Sequence, residues 1–167
     1  MKVTDGLFIR IAAEEHQREY PNIDYQEAII DAACMRLVQD PSQFDVLLME
    51  NLYGDVISDL CAGLVGGLGV GPGANIGETH AVFEAVHGSA PDIAGKGVAN
   101  PLALLMSAVM MLNYLADTRA DASCRVCAEK IRVAYDLALA DGCKTGDLGG
   151  ELGTLQFSNA VIDRLGD

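Results

Sequence analysis

The chain has 167 residues, half of them hydrophobic, which is enough for one ordinary domain with a real core. Its 24 acidic against 11 basic residues give a net charge of −13. That argues against a nucleic-acid partner, because phosphate binding needs clustered Lys and Arg.

Met1 to Gly6 carries no apolar run after its charge, so no signal peptide is readable. Thr4-Asp5 then reads as the N-cap of a helix that runs through about Glu19, with Leu7, Phe8, Ile11 and Ala12 on one face and Pro21 as its stop. Asp24 to Ile30 reads as a short strand and Asp31 to Gln39 as a helix that Pro41 ends. Phe44 to Met49 is nearly all apolar, as a strand buried on both faces of a sheet should be. A helix follows from about Gly54 to Leu64. The stretch Gly66 to Gly77 is dense in glycine and is expected to form no regular element. Ala81 to Val86 reads as a third strand, leading into a loop over His87 to Gly95.

Pro101 opens a long apolar helix that is too short to span a bilayer, so no membrane segment is expected. A further helix is predicted over Asp121 to Ala140, with Ile131, Tyr135 and Leu139 at helical spacing, and a last one over Thr154 to Leu165. The pattern is α/β, with three strand candidates in a parallel sheet. Three strands are few for so apolar a chain and leave two sheet edges open, which points to a part of something larger. The five cysteines are odd in number and lack framework spacing, as suits a reducing compartment such as the cytoplasm, or the mitochondrial matrix of a eukaryote. Cys124 and Cys127 form a CxxC, read as two thiols one helical turn apart because no second pair exists.

Asp55 and Asp59, four apart on a predicted helix after a buried strand, project from one face. Two carboxylates so placed suit a hard divalent cation, and equally suit a solvated helix face. Asp31, before its helix, reads from the residues alone as an N-cap. Gly67-Leu68-Gly69-Val70-Gly71 contains a GxG, but no helix opens directly after it, so a Rossmann fingerprint is rejected.

Asn51-Leu52-Tyr53-Gly54-Asp55-Val56-Ile57-Ser58-Asp59, followed by Gly66-Gly67-Leu68-Gly69, resembles the signature of the isocitrate/isopropylmalate dehydrogenase family. His87-Gly88-Ser89-Ala90-Pro91-Asp92-Ile93-Ala94-Gly95-Lys96, with Asn100-Pro101, resembles that family's adenine-nucleotide loop. The resemblance covers the whole chain and implies the C-terminal half of the family's α/β fold, with an incomplete sheet and flanking helices. Residues 1–65 would belong to the small dimerising domain and residues 66–167 to the large one.

The resemblance also implies roles. Asp55 and Asp59 match metal aspartates of one subunit, and Asp31 matches the aspartate that reaches in from a neighbour; the metal would be Mg²⁺ or Mn²⁺. His87, Gly88, Ala90 and Asn100 match residues that hold the adenine and its ribose. The family's NADP-specific members carry basic and aromatic side chains where Asp92 and Ile93 stand here. A carboxylate there repels a 2′-phosphate and accepts hydrogen bonds from ribose hydroxyls, so the implied cofactor is NAD.

The implied reaction is oxidation of an isocitrate-like 2-hydroxy acid by NAD, followed by loss of CO₂. The segment Gly71 to Gly77 and Phe83-Glu84-Ala85-Val86-His87 look more like isocitrate than isopropylmalate enzymes, with 3-isopropylmalate and homoisocitrate as alternatives. The family's catalytic lysine and tyrosine, and its substrate-binding arginines, fall upstream of Met1; Lys2 is not that lysine. The chain is therefore expected to be inactive alone. It would work as a homodimer or hetero-oligomer with a complementary subunit, or serve as a non-catalytic regulatory chain.

Overall fold

The computed structural model describes residues 3–166, so the expectations for Met1 and Lys2 lie outside it. In chain order the elements are α1 (Thr4–Glu19), α2 (Ile30–Gln39), α3 (Asn51–Val65), β1 (Pro72–Ile76), β2 (Ala81–Ala85), α4 (Leu102–Arg119), α5 (Ala122–Ala140) and α6 (Thr154–Ile162). They fall into two compact units, Met1–Cys61 and Ala62–Asp167.

In the first unit α1 covers close to the predicted span, but its N-cap position is Val3, which makes no side-chain cap, and Thr4-Asp5 already lies in the first turn. Phe8 and Ala12 are half-buried while Leu7 and Ile11 stay exposed, so only half of the predicted apolar face is covered. After Pro21 the chain is held to α1 by His16, whose Nε2 lies 2.8 Å from the Ile23 carbonyl and whose ring stacks on Tyr25 at 5.0 Å. Beyond α2, Arg36 bonds Gln43 Oε1 at 2.6 Å and lies over the Phe44 ring at 5.2 Å.

Two of the expected strands are absent. Residues 24–29 and 44–50 are non-helical, yet neither segment enters a β-ladder, and Ile30 already belongs to α2. A strand exists only through hydrogen bonds to a neighbour, and among the described residues of this unit neither segment has one. The apolar pattern at 44–49 is therefore covered only in part: Phe44, Leu47 and Met49 are half-buried, while Val46 is 83% exposed and Leu48 68%. Ala33, Leu37 and Ile57 are the buried apolar residues described in this unit.

The second unit corrects the expectation for the glycine stretch. Pro72–Ile76 is β1, and it pairs with β2 antiparallel, from Pro72↔Ala85 to Ile76↔Ala81. The sheet is thus a two-stranded hairpin rather than a parallel layer. Residues 77–80 are too short a link for a parallel crossover. Glycine is ordinarily unfavourable in strands, but at position 73 it is needed, since a Cβ there would lie 2.9 Å from the Glu84 carbonyl oxygen across the ladder.

The hairpin rests on α4. Ser107, fully buried, accepts from the Gly73 N–H at 3.3 Å, and its hydroxyl lies 2.8 Å from the Glu84 carbonyl and 2.9 Å from that of Ala103. Phe83 packs on Tyr114 with ring centroids 5.6 Å apart. Below it, α4, α5 and α6 enclose a core of Leu102, Val109, Ala128, Ala134, Tyr135, Ala138, Phe157 and Val161. Tyr135 is buried as its spacing predicts, and α6 ends at Ile162, earlier than expected. Helix α5 opens on Asp121, whose carboxylate accepts from the Ser123 N–H at 2.9 Å and its hydroxyl at 2.6 Å. Cys124 and Cys127 are free thiols on α5. No helix among the described residues is long and apolar enough to cross a membrane.

Candidate functional site

The first cluster of candidate residues lies in the first unit. Asp55 and Asp59 sit one turn apart on α3 and both are exposed, while Ile57 between them is buried. The helix thus turns Ile57 inward and both carboxylates outward, with Leu52 and Val56 exposed beside them. Tyr53, a half-turn before Asp55, donates to Asp5 Oδ2 of α1 at 3.2 Å and ties the start of α3 to that helix.

Asp31 differs from its residue-level reading. Ile29 occupies the N-cap position of α2 and makes no side-chain cap, and Asp31 is the second helical residue. Its Oδ1 accepts from the Ala32 N–H at 2.6 Å. Among the described residues no three His, Cys, Asp or Glu side chains come together to hold a metal ion, so Asp31 is not gathered with Asp55 and Asp59. The pair alone offers hard oxygen donors that fit Mg²⁺ or Mn²⁺, ions that complete their shell with waters and substrate oxygens.

The second cluster is the loop after β2. His87 Nδ1 lies 3.0 Å from the Gly88 carbonyl. Ala90 adopts a left-handed conformation at φ 41°, unusual for a residue with a Cβ, and turns the chain into a 3₁₀ turn over Pro91–Ile93. That turn is closed by Ile93 N–H to Ala90 O at 3.1 Å and Ala94 N–H to Pro91 O at 3.3 Å, and Lys96 N–H to Ile93 O at 3.1 Å closes the next one. His87, Gly88, Ala90, Asp92 and Ile93 are all exposed along it.

The loop's far end is fixed firmly. The Gly97 carbonyl accepts from the Thr154 N–H at 2.8 Å, and the Ala99 carbonyl from the Thr154 hydroxyl at 2.5 Å. Asn100 is the one buried member of the set. Its Oδ1 accepts from the Leu102 N–H at 3.0 Å, at the start of α4, and its Nδ2 donates to Asp147 Oδ2 at 2.9 Å. Asp147 is held in turn by the Thr145 hydroxyl at 2.5 Å, and Thr145 is fully buried. Sequence reasoning missed Thr145 and Asp147. Their one signal is the turn-rich run Thr145-Gly146-Asp147-Leu148-Gly149-Gly150, and nothing in it points to Asn100, 47 residues away. A groove of about 390 Å³ on α5, lined by Val126, Val133 and Leu165, contains none of these residues.

Residues 1–161 match the model of the isocitrate/isopropylmalate dehydrogenase family. The chain belongs to that family. It is 54% identical to the probable isocitrate dehydrogenase [NAD] subunit alpha, mitochondrial, of Caenorhabditis elegans, over 100% of the chain and 45% of that protein. It is 49% identical to the 3-isopropylmalate dehydrogenase of Archaeoglobus fulgidus, over 99% of the chain and 48% of that protein. The crystal structure of isocitrate dehydrogenase from Methylococcus capsulatus superposes with a TM-score of 0.88 at 46% identity, covering 98% of this chain and 47% of that one. The chain thus spans about half the length of the relatives it matches. Its α/β architecture is that of one half of the family's fold, the C-terminal half, and the family's members are dehydrogenases.

Proposed function

We propose that this chain carries the metal and NAD sides of a decarboxylating dehydrogenase that turns isocitrate into 2-oxoglutarate. The observation that carries the reading is the exposed Asp55–Asp59 pair, one turn apart on α3, in a member of this family. These two carboxylates would hold Mg²⁺ or Mn²⁺, and Asp31 would complete the metal shell of a neighbouring subunit. A divalent metal there supplies Lewis-acid chemistry, drawing electron density from the substrate hydroxyl. The aspartates keep the ion in place and leave coordination positions for substrate oxygens.

The loop residues do the binding of NAD. His87, Gly88, Ala90 and Asn100 hold the adenosine end, and Asp92 meets the ribose hydroxyls. Asp92 and Ile93 present no cation to a 2′-phosphate, which supports NAD over NADP. The lysine and tyrosine that move protons lie in the half of the fold that this chain does not span. The division of the chain after Cys61 supports residues 1–65 as part of the small dimerising domain and 66–167 as part of the large one. The uncovered Val46 and Leu48 support a complementary subunit or segment beside them. In a eukaryote the place of action would be the mitochondrial matrix, as the name of the nematode relative suggests, and otherwise the cytoplasm.

Isocitrate is favoured over 3-isopropylmalate and homoisocitrate by the Gly71–Gly77 and Phe83–His87 segments. The test joins this chain behind the first half of the nematode relative and follows NADH formation on all three substrates with Mg²⁺. Isocitrate should be the best substrate. Faster turnover of either of the others would overturn the substrate assignment and leave the reaction class standing.

A further inference from the structure

We propose that Asp147 is a positioning residue that locks the side-chain amide of Asn100 in one orientation, so that a single N–H is left for the adenine base. The proposal rests on the reading above that Asn100 holds the adenosine end of NAD.

An Asn amide has a donor end and an acceptor end of almost the same shape, and its neighbours decide which way it lies. Here both neighbours agree. The carboxylate of Asp147 can only accept, and it stands 2.9 Å from Nδ2. The Leu102 N–H can only donate, and it stands 3.0 Å from Oδ1. A flipped amide would set oxygen against a carboxylate at a part-buried contact and NH₂ against a backbone N–H at a buried one, two repulsions together. With one hydrogen of Nδ2 committed to Asp147, the other remains, and it matches an acceptor such as a purine ring nitrogen.

Asp147 is itself held on three sides. Its Oδ1 accepts from the buried Thr145 hydroxyl at 2.5 Å. The turn that carries it is closed by Leu148 N–H and Gly150 N–H, both 3.0 Å from the Thr145 carbonyl, with Gly149 at φ 76°. The glycine stretch forms its third side. A Cβ on Gly69 would lie 2.6 Å from Asp147 Oδ2 and 3.2 Å from the Asn100 Cβ. Gly69 therefore lets backbone close over the carboxylate while it bonds Asn100, which gives this part of the glycine-rich run a role that its GxG pattern does not suggest.

The experiment measures NAD affinity of the 167-residue chain by titration calorimetry, with thermal melting and the NMR signals of the Asn100 side-chain amide as companions. Asp147→Ala should weaken NAD binding by about ten-fold or more, the scale of a hydrogen bond to a charged group. Its Asn100 amide protons should also exchange faster than those of the unaltered chain. Asp147→Asn should restore most of the affinity. The new amide oxygen can still accept from Asn100, and the Thr145 hydroxyl can accept from its NH₂. A purely structural role would follow the melting temperature and would not show this rescue.

Gly69→Ala deletes no polar group but pushes the carboxylate away. It should give the same loss, and it serves as the test if Asp147→Ala does not fold. NAD binding unchanged in Asp147→Ala or Gly69→Ala overturns the proposal alone, as does an Asp147→Asn chain as weak as Asp147→Ala. No NAD binding by the unaltered chain, or full binding by Asn100→Ala, overturns the cofactor reading and the proposal with it.

Discussion

Replacing Asp92 by Lys and Ile93 by Tyr should turn the nucleotide loop toward NADP. Both residues sit in the exposed 3₁₀ turn Pro91–Ile93, so a charge at position 92 acts through a medium close to water. Two unit charges at about 4 Å interact by about 1 kcal/mol in water and about 4 kcal/mol at an effective dielectric of 20. Near a 2′-phosphate, Asp92→Lys removes a repulsion and adds an attraction. At the watery end of that range the swing is about 2–4 kcal/mol, or about 30-fold to 1,000-fold in the ratio of NADP to NAD affinity. The Tyr adds a ring beside the adenosine, so the figure rests on the Lys. Titration calorimetry of both nucleotides against the single and double variants, at low and high salt, reads the effect. The gain should shrink with salt, because the turn is exposed. An unchanged preference for NAD in the double variant would refute the role given to Asp92.

Two further outcomes are specific to the fold. Phe157→Ala empties a fully buried site in the core formed by α4, α5 and α6, and should cost about 3–5 kcal/mol in denaturant unfolding of the chain; a cost under about 1 kcal/mol would show that this core collapses around the gap. Asp121, the N-cap of α5, has its carboxyl held below the usual range by hydrogen bonds from the Ser123 side chain and backbone. A group whose folded pKa is depressed stabilises above its unfolded pKa and loses that contribution as pH falls through the folded value. The α5 N-terminus should therefore loosen below about pH 4, seen as faster amide exchange at Ser123 and Cys124. Asp121→Asn keeps an oxygen at the cap but should remove that particular pH dependence.

The helices were legible because their signals are local. Thr4-Asp5 and Pro21 bracket α1, Pro101 precedes α4, and Asp121 caps α5. The strands were not, because pairing is a property of neighbours. Phe44–Met49 has the composition of a buried strand and no ladder to join, whereas Pro72–Ile76 has the composition of a loop and pairs with Ala81–Ala85 across a contact that Gly73 keeps open. The candidate site divides in the same way. Asp55 and Asp59 could be placed on one face by counting residues, and their proposed role came from the surrounding motif rather than from spacing. The N-cap reading of Asp31 failed by two residues, since α2 begins earlier than its first carboxylate suggests. Asp147 and Thr145 show in the sequence only as part of a turn-rich run, and only the fold brings them to Asn100.

The measurement that bears most directly on the account is NADH formation from isocitrate, NAD and Mg²⁺. It compares the 167-residue chain alone with the same chain joined behind the first half of a relative. The chain alone should give no turnover, and the joined protein should give turnover that Asp55→Asn or Asp59→Asn abolishes. Robust turnover by the chain alone, or a joined enzyme indifferent to both substitutions, would contradict the claim that these aspartates are half of a divided catalytic centre.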